Sequence, residues 1–231
     1  MLRKTPLVRD EAYHIYNRGA HKYTVFTDDS DYWRFLSLLH LANHTGPVLL
    51  REILERKKHR GRFSGEIFSE EADKSLVDLL AYSLMPNHFH LIVKQKGDDG
   101  ITKFMQKLTV SYSMYFNTKY EHSGVLFQGR FKSNHLDTDP YFKWIFPYVH
   151  LNPVSLVEPR WQEKGIADPR HTKEFLRNYG YSSYYDYYVG ERPQRAILAY
   201  DQTADLLDKE EDIQGMLTAY MKGRVFYWSG V

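Results

Sequence analysis

Residues 76–95 read LVDLLAYSLMPNHFHLIVKQ, and this stretch restricts the fold more than any other. Two apolar runs of strand length, 76–86 and 88–95, meet at Met-Pro-Asn. Proline cannot donate to a sheet ladder and suits a turn, so two strands joined by a tight connection are expected. The second run opens with His88-Phe89-His90. Residues two apart on a strand point the same way, about 6–7 Å apart at Cα. His88 and His90 therefore share one face, and Phe89 points to the other, into a core. Two imidazoles at that separation can converge on one ion. They suit Mn, Zn or Fe, and Mg where oxygen ligands complete the shell. A two-histidine site keeps positions open for substrate. Taken alone, the pair is better explained by chance and local hydrogen bonding, because short motifs are common.

Around this pair the chain alternates strand and helix patterns. AYHIYNRG (12–19) reads as a strand ending at glycine. Residues 28–46 read as a helix, with Asp28 to Ser30 as cap candidates and Gly46 after its end. PVLLREILE (47–55) suits a strand or a helix. The charged stretch to about residue 75 reads as a loop or inserted hairpin, with a short helix at SEEADKS (69–75). Residues 97–124 give the clearest helix, with Phe104, Leu108, Tyr112 and Tyr115 at spacings of three and four. GVLFQGRFKSNHL (124–136) looks like a hairpin turning near Gln128-Gly129. Thr138-Asp139-Pro140 starts a further helix, interrupted by Pro147 and ended by Asn152-Pro153. The mixture indicates an α+β fold, an antiparallel sheet backed by helices.

Composition sets the setting. A chain of 231 residues without cysteine has no disulfide, thiolate ligand or thiol nucleophile. It holds no apolar run of membrane-span length and no secretory pattern, so a cytoplasmic location is expected. The net charge of +2 is small, but basic residues cluster at 51–62 and 103–143, and DLLDKEED (205–212) offsets them. A one-sided basic surface, or a solvated basic loop, both fit. Nineteen tyrosines can serve as core or as base-stacking platforms.

MPNHFHLIV (85–93) followed by YVHLNPV (148–154) resembles the single-tyrosine HUH transposases, and within them the REP-associated tyrosine transposases. YHIYNRG (13–19), LFQGRFKS (126–133) and the SSY at 182–184 are similar too, in order over about residues 10–190. The resemblance implies a ferredoxin-like domain over 1–155, with 156–231 as a Tyr-rich, partly acidic C-terminal extension. It implies cutting and rejoining of single-stranded DNA near hairpins, through a 5′-phosphotyrosine. Tyr148 takes the place of the nucleophile. His88, His90 and Asn152 take that of the ligands to a divalent ion, Mg²⁺ or Mn²⁺. Some relatives are dimers and some monomers, so a homodimer stays open. On a helix Tyr148 and Asn152, four apart, share a face, and His150 points away. Tyr112, Tyr115 and Tyr141 are rival nucleophiles, each explained as well by helix packing.

Arg18, Arg130 and Lys132 are the candidates for DNA backbone contacts, although ordinary surface charge explains each nearly as well. YGYSSYYDYYVG (179–190) could stack unpaired bases, but packing suits most of its tyrosines. No nucleotide motif is present. Two other classes remain open: a hairpin-binding protein without strand transfer, and a hydrolase using metal-bound water.

Overall fold

A computed structural model describes residues 6–47, 65–69, 74–203 and 213–227. Except for their end residues, the element expected at 47–55 and the helix expected at 69–75 lie outside these, as does the whole acidic run at 205–212. Four strands form one sheet: β1 (Ala12–Arg18), β2 (Val77–Met85), β3 (His88–Gln95) and β4 (Lys132–His135). Their order is β2-β3-β1-β4, and every pairing is antiparallel. Helix α1 (Asp29–Leu41) lies between β1 and β2, and α2 (Gly100–Tyr120) between β3 and β4. This β-α-β-β-α-β arrangement is the ferredoxin-like one, as expected from the sequence.

Alternation sorts the strands onto two cores. Tyr13, Ile15, Phe89, Leu91 and Val93 face α1 and α2, with Phe35, Leu39, Phe104, Leu108 and Tyr112. Ile92 faces the opposite core with α3 (Asp139–Leu151). The register of β2 against β3 slips between Leu79 and Ala81. The slip places Leu80 and Ala81, adjacent in sequence, in the second core, while Leu79 and Tyr82 stay in the first.

Helix starts follow local chemistry. Asp28 caps α1 by accepting from the backbone of Ser30 and Asp31, and Asp31 returns the bond to the Asp28 backbone. Thr138 caps α3, with Pro140 in its first turn. The helix continues through Pro147, whose missing N–H leaves the Lys143 carbonyl without its usual donor.

The segment 124–136 differs from expectation. It is not a two-armed hairpin but one interrupted strand along the edge of β1. Gly19 bridges Phe127, the Gln128 N–H donates to the Arg18 carbonyl, and pairing resumes at Tyr16 and Lys132. Gly129, at φ 68°, lets the chain bend between the two paired parts.

Short helices α4 (Trp161–Lys164), α5 (Pro169–Asn178) and α6 (Tyr184–Tyr188) follow, then α7 (Ile213–Tyr227). The tyrosine-rich stretch covers the outer edge of β2. The Leu84 N–H donates to the Tyr181 carbonyl, and the Ser183 N–H to that of Tyr82. Hydroxyls of Tyr179 and Tyr187 donate to the carbonyls of Leu84 and Leu80. Those edge groups are thereby satisfied rather than left open for another chain. No helix among the described residues is long and apolar enough to cross a membrane.

Candidate active site

Helix α3 lies on the face of the sheet from which His88 and His90 project. Trp144, Tyr148 and Asn152 recur every fourth residue along it, so they share one side. That side faces the histidines. The Tyr148 ring meets the His90 ring edge to face, with centroids 5.3 Å apart. The Asn152 Oδ1 lies 3.3 Å from the His88 Nε2. Asn152 also hydrogen-bonds Tyr148, so one amide joins the phenol to the imidazole pair. His88 and His90 stand at right angles with centroids 5.0 Å apart. The structure brings these four side chains together within one chain.

His150 points elsewhere, as the helical spacing predicts. It is fully buried, and its Nε2 pairs with the Ser183 Oγ at 2.9 Å. Tyr112 and Tyr115 lie on the far side of the sheet, their hydroxyls donating to the Val25 carbonyl and Asp31 Oδ1. Tyr141 stacks on Trp144.

Burial sets the protonation of the site. It holds His88 below the ordinary imidazole value; the Asn152 contact opposes this and the Arg18 charge adds to it. His90 lies well below 6.5, through burial first and then its neighbours His14 and His88. Both rings are therefore neutral at pH 7, the state a metal ligand needs. Burial, and after it the nearby Tyr220 phenol, pushes Tyr148 up, while Asn152 pulls it down. Tyr148 is thus a neutral phenol, 6 % exposed. Its ring lies nearly parallel to those of Trp144 and Tyr220, the latter delivered by α7, and the three rings neighbour one another. The Trp144 Nε1 donates to the Tyr220 carbonyl at 2.8 Å and fixes that contact.

The donor set suits a small cation. The His88 Nδ1 lies 2.6 Å from the Asn87 Oδ1, while its Nε2 faces the Asn152 Oδ1. A neutral imidazole has one N–H and can serve only one of these oxygens. The other contact sets a ring lone pair against an amide oxygen, an arrangement that a cation between them resolves. Adjacent ligands of an octahedral Mg²⁺ at about 2.1 Å stand about 3 Å apart, close to the separation here. Among the described residues no three His, Cys, Asp or Glu side chains converge as a metal cluster. Two imidazoles and an amide oxygen are the groups that would hold such an ion here.

A cleft of about 390 Å³ opens beside His88, lined by Tyr16, Asn17, Arg18, Lys22, Asn87, Gln128 and Lys132. Arg18 ends β1 directly opposite His88 in the register, and its Nε donates to the Gln128 Oε1. Lys132 opens β4 opposite Tyr16. Arg130 instead lines a neighbouring groove between α2 and residues 124–131. Two contributors escaped the sequence reading. Lys22 reaches the cleft because the chain turns back sharply after β1. A Cβ at Gly19 would sit 2.1 Å from the Tyr23 carbonyl, and His21 and Lys22 are both left-handed, at φ 53° and 63°. Such conformations in non-glycine residues cluster at functional sites. His14 also stands on the site face, with its Nε2 2.8 Å from the His90 Nδ1. Its period-two spacing from Tyr16 was the available signal.

The search of curated proteins found no match. A solved structure described as "Structure of the REP associates tyrosine transposase bound to a REP hairpin" is similar at 10% identity and a TM-score of 0.47, covering 81% of this chain and 84% of that one. Residues 47–152 match the profile of the family described as "Transposase IS200 like". The matched stretch contains His88, His90, Tyr148 and Asn152. The resemblance read from the sequence and this profile match agree over that stretch.

Proposed function

We propose that this protein cuts and rejoins single-stranded DNA near hairpins, with Tyr148 as nucleophile and a 5′-phosphotyrosine as the covalent intermediate. The observation that carries this reading is the meeting of Tyr148 with His90 at 5.3 Å, with Asn152 bonded to Tyr148 and facing His88. A phenol held against a neutral imidazole pair would attack a phosphate held by the ion that the pair binds.

His88, His90 and Asn152 would hold the divalent ion, Mg²⁺ or Mn²⁺. When bound there, the ion would polarise a non-bridging phosphate oxygen and fix the phosphate. Arg18 and Lys132 would neutralise neighbouring phosphates in the cleft, and Arg130 one further along the strand. The Tyr148 oxygen forms its bond to phosphorus as the bond to the 3′ oxygen breaks. The phenol gives up one proton and the departing 3′ oxygen gains one, so the exchange is balanced. The phosphodiester energy is retained in the tyrosyl ester, and the reverse attack by a 3′-hydroxyl rejoins the strand. Asn152, bonded to the phenol, orients it for attack.

We read residues 1–155 as the catalytic domain and 156–231 as an extension. The extension packs onto that domain: the 179–190 stretch binds the β2 edge and α7 lies on α3.

The test is a labelled single-stranded hairpin oligonucleotide incubated with the protein and Mg²⁺ or Mn²⁺. An SDS-resistant protein–DNA adduct, lost on chelation and in Tyr148→Phe, is expected. Cleavage that persists in Tyr148→Phe would favour hydrolysis by metal-bound water. Tight binding without cleavage would favour a hairpin-binding protein.

A further inference from the structure

We propose that His14 is a positioning residue for the cation site: it accepts the Nδ1 proton of His90 and so leaves the Nε2 lone pair of His90 for the ion. The proposal rests on the metal-site reading above.

Strand β1 runs beside β3, with Tyr16 opposite His90 and His14 opposite Ile92. His14 is therefore one step along the same face from His90. Its ring lies nearly parallel to that of His90, at 19° with centroids 5.1 Å apart, and the His14 Nε2 is 2.8 Å from the His90 Nδ1. It also meets the edge of Tyr148 at 5.8 Å. His14 is 3 % exposed, and its other nitrogen, Nδ1, is buried with no hydrogen-bond partner among the described residues.

A neutral imidazole carries one hydrogen on one of its two nitrogens. The short contact between two such rings therefore has two forms. In one, the His14 Nε2–H donates and His90 carries its own hydrogen on Nε2, which closes that nitrogen to a cation. In the other, the His90 Nδ1–H donates and the His90 Nε2 is a bare lone pair. Only the second makes His90 a ligand. Metal-bound histidines are usually held this way by a carboxylate or carbonyl on the remaining nitrogen. Here an imidazole does the same. In this form the His14 hydrogen sits on its Nδ1, which has no partner among the described residues. A buried polar atom without a partner is destabilising, and an apolar side chain at position 14 would avoid it. What histidine adds there, and phenylalanine cannot, is the acceptor facing His90.

The experiment measures binding of Mn²⁺ alone to the full-length protein, by calorimetry and by electron paramagnetic resonance. Wild type, His14→Phe, His14→Gln and His88→Ala are compared, with folding of each checked by thermal melting. Phenylalanine keeps a ring without an acceptor; glutamine places a carbonyl oxygen near the former Nε2. His14→Phe is expected to weaken Mn²⁺ binding about 10- to 100-fold, and His14→Gln to restore most of it. Unchanged affinity in folded His14→Phe overturns the role of His14 while leaving the metal site standing. Wild-type binding no tighter than His88→Ala removes the metal site and this inference with it. A second readout needs no variant: nitrogen-15 ring spectra of the Mg²⁺-loaded wild type. A bare His14 Nε2 and a protonated His90 Nδ1 are expected, and a proton on the His14 Nε2 overturns the proposal.

Discussion

Tyr112 and Tyr148 are both buried tyrosines on helices packed against the same four strands, one on each face of the sheet. Tyr112 sits among Phe26, Phe35, Phe116 and Phe127, and its hydroxyl is satisfied by the Val25 carbonyl. Tyr148 sits against Trp144 and Tyr220, but its other neighbours are His14, His90 and Asn152. Burial is the same in both places, so burial does not identify a reactive side chain. The surroundings differ. One phenol is bonded to a backbone carbonyl inside an apolar core. The other stands where neutral ring nitrogens and an amide converge beside a basic cleft.

Exchanging each phenol for phenylalanine breaks this comparison most sharply. Tyr148→Phe should lower formation of the covalent DNA adduct by about 10⁴-fold or more, the scale of removing a nucleophile. Tyr112→Phe should leave the adduct intact and lower stability by about 1 kcal/mol, the worth of one hydrogen bond, read by urea unfolding. A large adduct loss in folded Tyr112→Phe would erase the distinction between the faces.

Next in size is the imidazole pair. His88→Ala and His90→Ala should each weaken Mn²⁺ binding by about 10-fold or more and make adduct formation need correspondingly more metal. Phe89→Leu, between them but in the opposite core, should change stability and leave Mn²⁺ affinity alone. Titration calorimetry separates the two results.

Acid should act through the site face. Burial lowers both His14 and His150 from 6.5 to about 3. Between those values the unfolded chain binds protons that the folded chain does not. The stability from these neutral rings is complete above pH 6.5 and is lost as pH falls toward 3. Melting temperature should therefore drop steadily below pH 6.5, and His150→Gln should flatten part of the slope. A melting temperature flat from pH 7 to 5 would contradict the assigned burial.

The smallest effects belong to the cleft. Arg18→Ala and Lys132→Ala should each reduce the salt dependence of single-stranded DNA binding by about one ion. Arg130→Ala, in the adjoining groove, should weaken binding while sparing the cleavage rate of bound DNA. A fluorescence anisotropy series in salt measures the first, and single-turnover cleavage the second.

What could be read from the sequence was local. The His88–His90 alternation, the Thr138-Asp139-Pro140 start and the four-residue step from Tyr148 to Asn152 are each set by one strand or one helix, and each held. What could not be read depends on which strands become neighbours. His14 meets His90 only because β1 lies beside β3, 76 residues away in the chain. The 124–136 stretch has the turn residues of a hairpin, yet both of its extended parts pair with β1. Tyrosines 179–188 carry no periodic signal for the β2 edge they cover, because that contact runs through backbone groups and hydroxyls rather than an apolar face.

The most direct test of the central claim locates the DNA on the protein. Tryptic cleavage after Lys143 and Arg160 releases residues 144–160, in which Tyr148 is the sole tyrosine. Mass spectrometry of the nuclease-trimmed adduct should find the nucleotide on this peptide, joined to the phenolic oxygen. Nucleotide on a peptide carrying Tyr112, Tyr115 or Tyr141, or cleaved DNA with no peptide attached, would contradict the account.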